Sequence, residues 1–183
     1  MRLILTLAIL AAPAFAECPK PADTSAELLN LFAKANAAAD VNAGRRVSNE
    51  MWKVWLRAPD EAAQEVLEAG MRRRDAYDFS GAITEYDRLI AYCPDYAEGF
   101  NQRAYVHFLR EDYEKALADL DIALTLQPYH VAAQSGRALT LMNLGRLEEA
   151  RTQLLIAVEN NPWLSEAALL ADGAPLGRKG KDI

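Results

Sequence analysis

The chain has 183 residues, 51% of them apolar, which is enough for one cored domain. With 26 acidic against 20 basic side chains it carries a formal net charge of −6 and no basic stripe, which argues against a nucleic-acid partner. Beyond the N-terminus no stretch reaches the about 20 uninterrupted apolar residues that a membrane-spanning helix needs, so no integral membrane segment is expected after signal cleavage.

Residues 1–16 read as a signal peptide. Arg2 precedes an apolar run from Leu3 to Ala12, then Pro13 and the small-residue pattern Ala14-Phe15-Ala16, so cleavage is expected after Ala16. The alternative is a buried first helix. A lipid-modified cysteine would follow such a pattern directly, whereas Cys18 follows the acidic Glu17. The expected location is therefore periplasmic or secreted. Cleavage removes only Arg2 among the charged residues, leaving 26 acidic against 19 basic side chains.

Residues 17–58 form an N-terminal arm and a capping helix pair. Asp23, Thr24 or Ser25 can cap its first helix, with Glu27 placed to favour the N-terminal dipole. The second helix is expected from about Arg45 to Arg57. It carries Met51, Trp52 and Trp55, the two tryptophans sharing one face, before Ala58 and Pro59. Terminal units of repeat arrays cover a core edge on one side and meet water on the other. The tryptophans are thus expected to seal the first repeat, the alternative being an exposed aromatic platform for a ligand.

Residues 59–162 repeat. Pro94, Pro128 and Pro162 stand 34 residues apart, each closing a stretch with matching columns. Gly70, Ala104 and Ala138 form one small-residue column and Ala82, Ala116 and Ala150 another, marking lines where two helices approach closely. Phe79, Tyr113 and Leu147 open each second helix; Tyr86, Leu120 and Leu154 follow two turns later, then Leu89, Ala123 and Ala157. Each proline ends its pair, lacking the amide donor a helix needs. The units run 63–96, 97–130 and 131–162. Residues 163–183 comprise a short capping helix, Trp163 to Leu170, and a tail from Gly173 to Ile183 with Arg178, Lys179 and Lys181, expected to be flexible.

Period, small columns, aromatic position and terminal proline together resemble the tetratricopeptide repeat, whose 34-residue unit is an antiparallel helix hairpin. The resemblance implies an all-α solenoid, a TPR-like superhelix with atypical capping helices. The family's usual first-helix tryptophan is replaced by Val66, Phe100 and Gln134, and its turn glycine survives only at Gly145, with Tyr77 and Glu111 in the equivalent places. The resemblance also implies a non-catalytic protein-protein interaction module, an adaptor or scaffold that holds a peptide or partner segment in a concave groove lined by the first helices. Carried onto this chain, the groove comprises Gln64, Leu67, Met71 and Arg74, then Asn101, Gln102, Tyr105 and Phe108, then Ser135, Leu139 and Met142. Several of these are alternatively buried between repeats or covered by the N-terminal arm. The positions at which chaperone cofactors clamp a terminal carboxylate hold Leu67, Met71, Gln102, Ala132 and Gly136, so that positive clamp is missing.

Repeat geometry puts Cys93 in the loop closing the first unit, and an oxidising compartment allows it to pair with Cys18. That disulfide is expected; the alternative is two free thiols. The run Arg72-Arg73-Arg74 fans around its helix and reads as a solvated face pairing with Asp75 or Asp78. Catalysis finds no support. His107 and His130 are the only histidines, without a spaced metal-ligand set, and the acidic pairs Asp119/Asp121 and Glu148/Glu149 read as solvated faces. No phosphate loop, nucleophile elbow or dinucleotide fingerprint occurs, so no cofactor or metal is expected. The competing non-catalytic role is structural self-association as a homo-oligomer.

Overall fold

In the computed structural model the described residues are 17–178. The segment read as a signal peptide, 1–16, and the end 179–183, with Lys179 and Lys181, lie outside them. Eight α-helices follow in order among the described residues: α1 (Ser25–Asn36), α2 (Val41–Trp55), α3 (Glu61–Asp75), α4 (Phe79–Tyr92), α5 (Ala97–Leu109), α6 (Tyr113–Leu126), α7 (Val131–Asn143) and α8 (Leu147–Asn160). A short 3-10 helix, Ser165–Leu170, comes last.

Local chemistry sets the helix ends. The carboxylates of Asp40, Asp60 and Asp78 accept backbone N–H groups of Ala43, Ala63 and Gly81 at 2.8 to 2.9 Å, starting α2, α3 and α4. Asp40 explains why α2 begins at Val41, ahead of the expected Arg45. Inside each repeat the turn between helices closes the same way, with Asp78, Asp112 and Arg146 donating N–H to the carbonyls of Arg73, His107 and Leu141, each at 2.9 Å. That closure needs a left-handed residue, supplied by Tyr77 (φ 61°), Glu111 (φ 63°) and Gly145 (φ 75°). The loss of the glycine in two repeats therefore leaves the turn conformation intact, at a cost in backbone strain.

The small columns are the contact lines of the hairpins α3/α4, α5/α6 and α7/α8, and each hairpin stacks on the next through α4 with α5 and α6 with α7. Ala82, Ala104, Ala116, Ala138 and Ala150 have no exposed surface. A Cβ built on Gly70 would run into the Tyr86 ring. The first repeat thus seats a large ring on a residue without a side chain, where the others put Leu120 and Leu154 opposite alanine.

The N-terminal pair docks elsewhere than expected. Leu28, Leu31, Phe32, Met51 and Val54 share one buried cluster with Leu141, Leu154 and Ala157, so α1 and α2 cover the third repeat, not the first. Sequence-distant bonds hold them there: Asn36 donates to the carbonyl of Glu159 at 3.1 Å, Trp163 Nε1 to that of Ala35 at 2.7 Å, and Asn161 to the Ser48 hydroxyl at 2.9 Å. Trp163 fits over Gly44, where a Cβ would strike its indole. The arm ahead of α1 starts at the first repeat, where Cys18 is disulfide-bonded to Cys93 with their Cα atoms 5.2 Å apart. It then passes the second, where Gln127 donates to the Thr24 hydroxyl at 3.0 Å. At the other end, the segment after Leu170 is not a free tail from Gly173 onward. Leu176 is 2% exposed, seated in the same cluster, with its carbonyl accepting from Arg151.

Candidate functional site: a cleft between α2 and the first-helix face

The N-cap of α5 gives its hydroxyl to the C-terminal end of α2, Tyr96 donating to the Trp55 carbonyl at 2.8 Å, while the Gly44–Ser48 turn of α2 meets Trp163 and Asn161. The helix therefore crosses the concave face. What remains of the groove is a cleft of about 940 Å³, within the order of size of small-molecule and peptide pockets.

One wall is the expected one. Met71 and Arg74 from α3, Asn101, Gln102, Tyr105 and Phe108 from α5, and Ser135 and Leu139 from α7 all line the cleft, together with Ala132 and Gly136. Three groove assignments fail. Leu67 is fully buried in the cluster of Tyr86 and Leu89, because the first-helix stripe turns inward at that position. Gln64 instead accepts from the backbone N–H of Ala58 at 3.0 Å, closing the loop into α3. Met142 packs on the apolar cluster beneath α7. The opposite wall lies outside the groove expected from the sequence, in which only Trp52 and Trp55 stand out, as the alternative aromatic platform: it comprises Arg45, Asn49, Trp52 and Trp55 of α2, with Trp163 and Leu164 after the last repeat. The Trp52/Trp55 spacing is the signal that could have found it, but it pointed to the wrong end of the array. The two rings meet edge to face at 5.5 Å.

Beneath the lining runs a buried polar chain that ties the three repeats together. Arg74 donates to Gln102 Oε1, and Gln102 Nε2 donates to Glu98 Oε1, each at 2.5 Å. Glu98 Oε2 receives Asn101 Nδ2 at 3.0 Å and lies 2.6 Å from His130 Nε2. His130 Nδ1 accepts the N–H of Ala133 at 3.2 Å, which leaves Nε2 as the nitrogen that donates to Glu98. Trp55 stacks on the imidazole at 4.6 Å, and burial, with Glu98 nearby, pushes the Tyr96 phenol above its ordinary value. The amides of Asn101 and Gln102 are therefore committed to Glu98 and do not fix the register of a guest. Arg74 keeps its guanidinium 5.4 Å from the Tyr105 ring centroid, and Tyr105 itself is 48% exposed. Neither histidine lines the cleft. The arrangement offers contact surface and hydrogen-bond donors.

The sequence model of the tetratricopeptide repeat matches residues 67–131 and 102–163. A TPR repeat-containing protein of Rhizobium etli is 28% identical over 115 residues, covering 63% of this chain and 56% of that protein. A tetratricopeptide repeat protein 36 homolog of Nematostella vectensis is 37% identical over 71 residues, covering 39% of each. The chain thus spans about half, or less, of the length of the curated relatives it matches. Among solved structures, the first TPR of Spaghetti (RPAP3), bound to the HSP90 peptide SRMEEVD, superposes with a TM-score of 0.57 at 24% identity, over 58% of this chain and 84% of that one. The repeat columns, the three stacked hairpins and the match across more than half of its residues agree: this chain belongs to the tetratricopeptide repeat family.

Proposed function

We propose that the protein is a non-catalytic interaction module, an adaptor or scaffold that binds a short segment of a partner protein in the cleft between α2 and the first-helix face. The observation that carries this reading is the cleft itself, which keeps Tyr105, Phe108, Met71 and Trp52 at its surface as a contiguous aromatic and thioether lining. Large aromatic and thioether side chains supply adaptable contact area. Because α2 already spans the concave face, the site suits a few residues of a partner rather than a long helix laid along the array. The positions of the chaperone-type carboxylate clamp offer no cation here, with Leu67 buried and Gln102 engaged by Glu98. The disulfide between Cys18 and Cys93 and the signal-like N-terminus support action in the periplasm or outside the cell.

A photo-crosslinking residue at Tyr105, compared in the native compartment with one at Ile122 on α6, tests the reading. Selective capture of a partner from Tyr105 is expected. Equal labelling from both positions removes the groove from the argument, and capture of a second copy from Tyr105 replaces a partner protein with self-association.

A further inference from the structure

His130 stands between the two walls of the cleft without lining it. On one side its ring lies against the indole of Trp55, the last residue of α2, with the centroids 4.6 Å apart and the planes 14° from parallel; Trp55 lines the cleft. On the other side its Nδ1 caps α7 through the N–H of Ala133, and Val131 and Ala132 at the start of that helix line the cleft too. Whatever displaces this ring therefore moves the end of the α2 wall and the first turn of the α7 wall together.

The seat of that ring has room for one proton. It lies on Nε2, donated to Glu98, and the other side-chain hydrogen bonds of the pair among the described residues all come from donors: the Asn101 and Gln102 amides on Glu98, and the Ala133 N–H on His130 Nδ1. Arg74 donates to the Gln102 oxygen and so fixes that amide with its nitrogen toward Glu98. Both side chains of the pair are 1% exposed, so bulk water offers no substitute partner. A second proton on Nδ1 faces the Ala133 N–H and ends the cap of α7; on Glu98 it faces the two amides. Either way a buried hydrogen bond is lost. Around the ring, α2 presents an uncharged indole, α3 the Arg74 guanidinium through Gln102, and α5 Glu98, with the Tyr96 phenol on the Trp55 carbonyl. The neighbouring Tyr129 packs on Phe32 of α1. The attraction of an imidazolium to Glu98 opposes the loss, but Glu98 is already served by two amides, and Arg74 sets a second cation against the new charge.

We infer that the Glu98–His130 pair is an acid-operated latch on the cleft. With one proton between them the two residues hold Trp55 and the first turn of α7 together; a second proton breaks the cap of α7, unseats the indole and widens the cleft. As regulation of binding, the latch rests on the reading of the cleft as the binding site. Its movement does not, because it is a property of the walls alone.

All three tryptophans of the chain line the cleft, so quenching of their fluorescence by acrylamide reads how open it is. The purified, disulfide-bonded protein is measured without a guest between about pH 8 and pH 5, the range in which imidazole ordinarily takes up its proton. Quenching is expected to increase and the emission to shift to longer wavelength as the pH falls, while helix content by circular dichroism stays constant. In the same titration the NMR signal of the Ala133 amide is expected to move with the fluorescence. His130→Asn keeps a capping side chain that does not titrate and is expected to abolish the response, whereas His107→Gln leaves it in place. Quenching that stays constant or decreases on acidification overturns the inference, as does loss of helix over the same range or a wild-type response in His130→Asn. An Ala133 amide that stays still while the fluorescence changes overturns it too, and that measurement on the unaltered protein decides the matter if His130→Asn does not fold. Selective crosslinking from Tyr105 without a pH response removes the latch alone, and a pH response with unselective crosslinking removes the binding reading alone.

Discussion

The pairing of Gly70 with Tyr86 makes a quantitative test of how the repeat columns hold the hairpins. Alanine at position 70 gains helix propensity, about 1 kcal/mol over glycine. Against that, its methyl group would fall inside the Tyr86 ring, which is fully buried. Overpacking of this kind costs about 1 to 3 kcal/mol, and the rigidity of a buried ring places it at the upper end. Gly70→Ala is therefore expected to destabilise by about 2 kcal/mol net. Tyr86→Leu alone loses ring contacts but also removes a buried hydroxyl with no partner among the described residues. The double variant recreates the alanine-leucine pair that repeats two and three use at Ala104/Leu120 and Ala138/Leu154. It is expected to be more stable than the sum of the single changes predicts, with a coupling energy of about 2 kcal/mol. Urea denaturation of the four proteins measures it. If Gly70→Ala stabilises by its propensity alone, or the two changes add within about 0.5 kcal/mol, the size-compensation argument is wrong.

Three further outcomes follow from the same geometry. Glu111→Gly relieves a left-handed residue that closes the second repeat's turn and forms no ion pair among the described residues, so stability is expected to rise by about 1 kcal/mol, a thermal shift of about 2 to 4 °C. Reducing the Cys18–Cys93 bond opens a loop with a sequence separation of 75 and is expected to cost up to about 4 kcal/mol in the chain-entropy model, read as a lower urea midpoint in dithiothreitol. Burial holds the His107 imidazole below its ordinary value of 6.5. As pH falls through 6.5 the unfolded chain takes up that proton before the folded one does, so stability declines with acidification there. His107→Gln is expected to flatten urea midpoints measured from pH 7 to pH 5, and an unchanged slope refutes the assignment.

The hairpins were legible because every repeat states the same local problem three times. Small residue, large residue and proline recur at the period with which neighbouring helices touch, and contacts in such an array are mostly between sequence neighbours. Eight groove residues could be placed from the resemblance that this period supports, and one that failed, Leu67, sits where the stripe dips into the core. The docking of α1 and α2 was not legible. It depends on single fits between residues more than 90 positions apart: Gly44 beneath Trp163, Asn36 on Glu159, and Phe32 edge-on to Tyr129 at 6.1 Å. None of these recurs, so no period reveals them, and a tryptophan pair near the start of an array looks like a cap for its nearest unit. Leu176 hid for the same reason, as one apolar residue amid glycine and cations.

That division has a consequence for how the site evolves and can be engineered. The repeat columns set the first-helix wall, and changing the small-residue columns disturbs stability along with the cleft, because Gly70, Ala104 and Ala138 and their partners Ala82, Ala116 and Ala150 are buried between helices. The second wall is built by non-repeating residues, and of those on α2 that line the cleft, Arg45, Asn49 and Trp52 are exposed and lie outside the buried cluster that anchors the helix. Substitution at those three positions can change what the cleft accepts while the anchoring residues Met51, Val54 and Trp55 keep the helix in place. The segment that departs from the repeat thus builds one wall of the cleft, and the repeats supply the other.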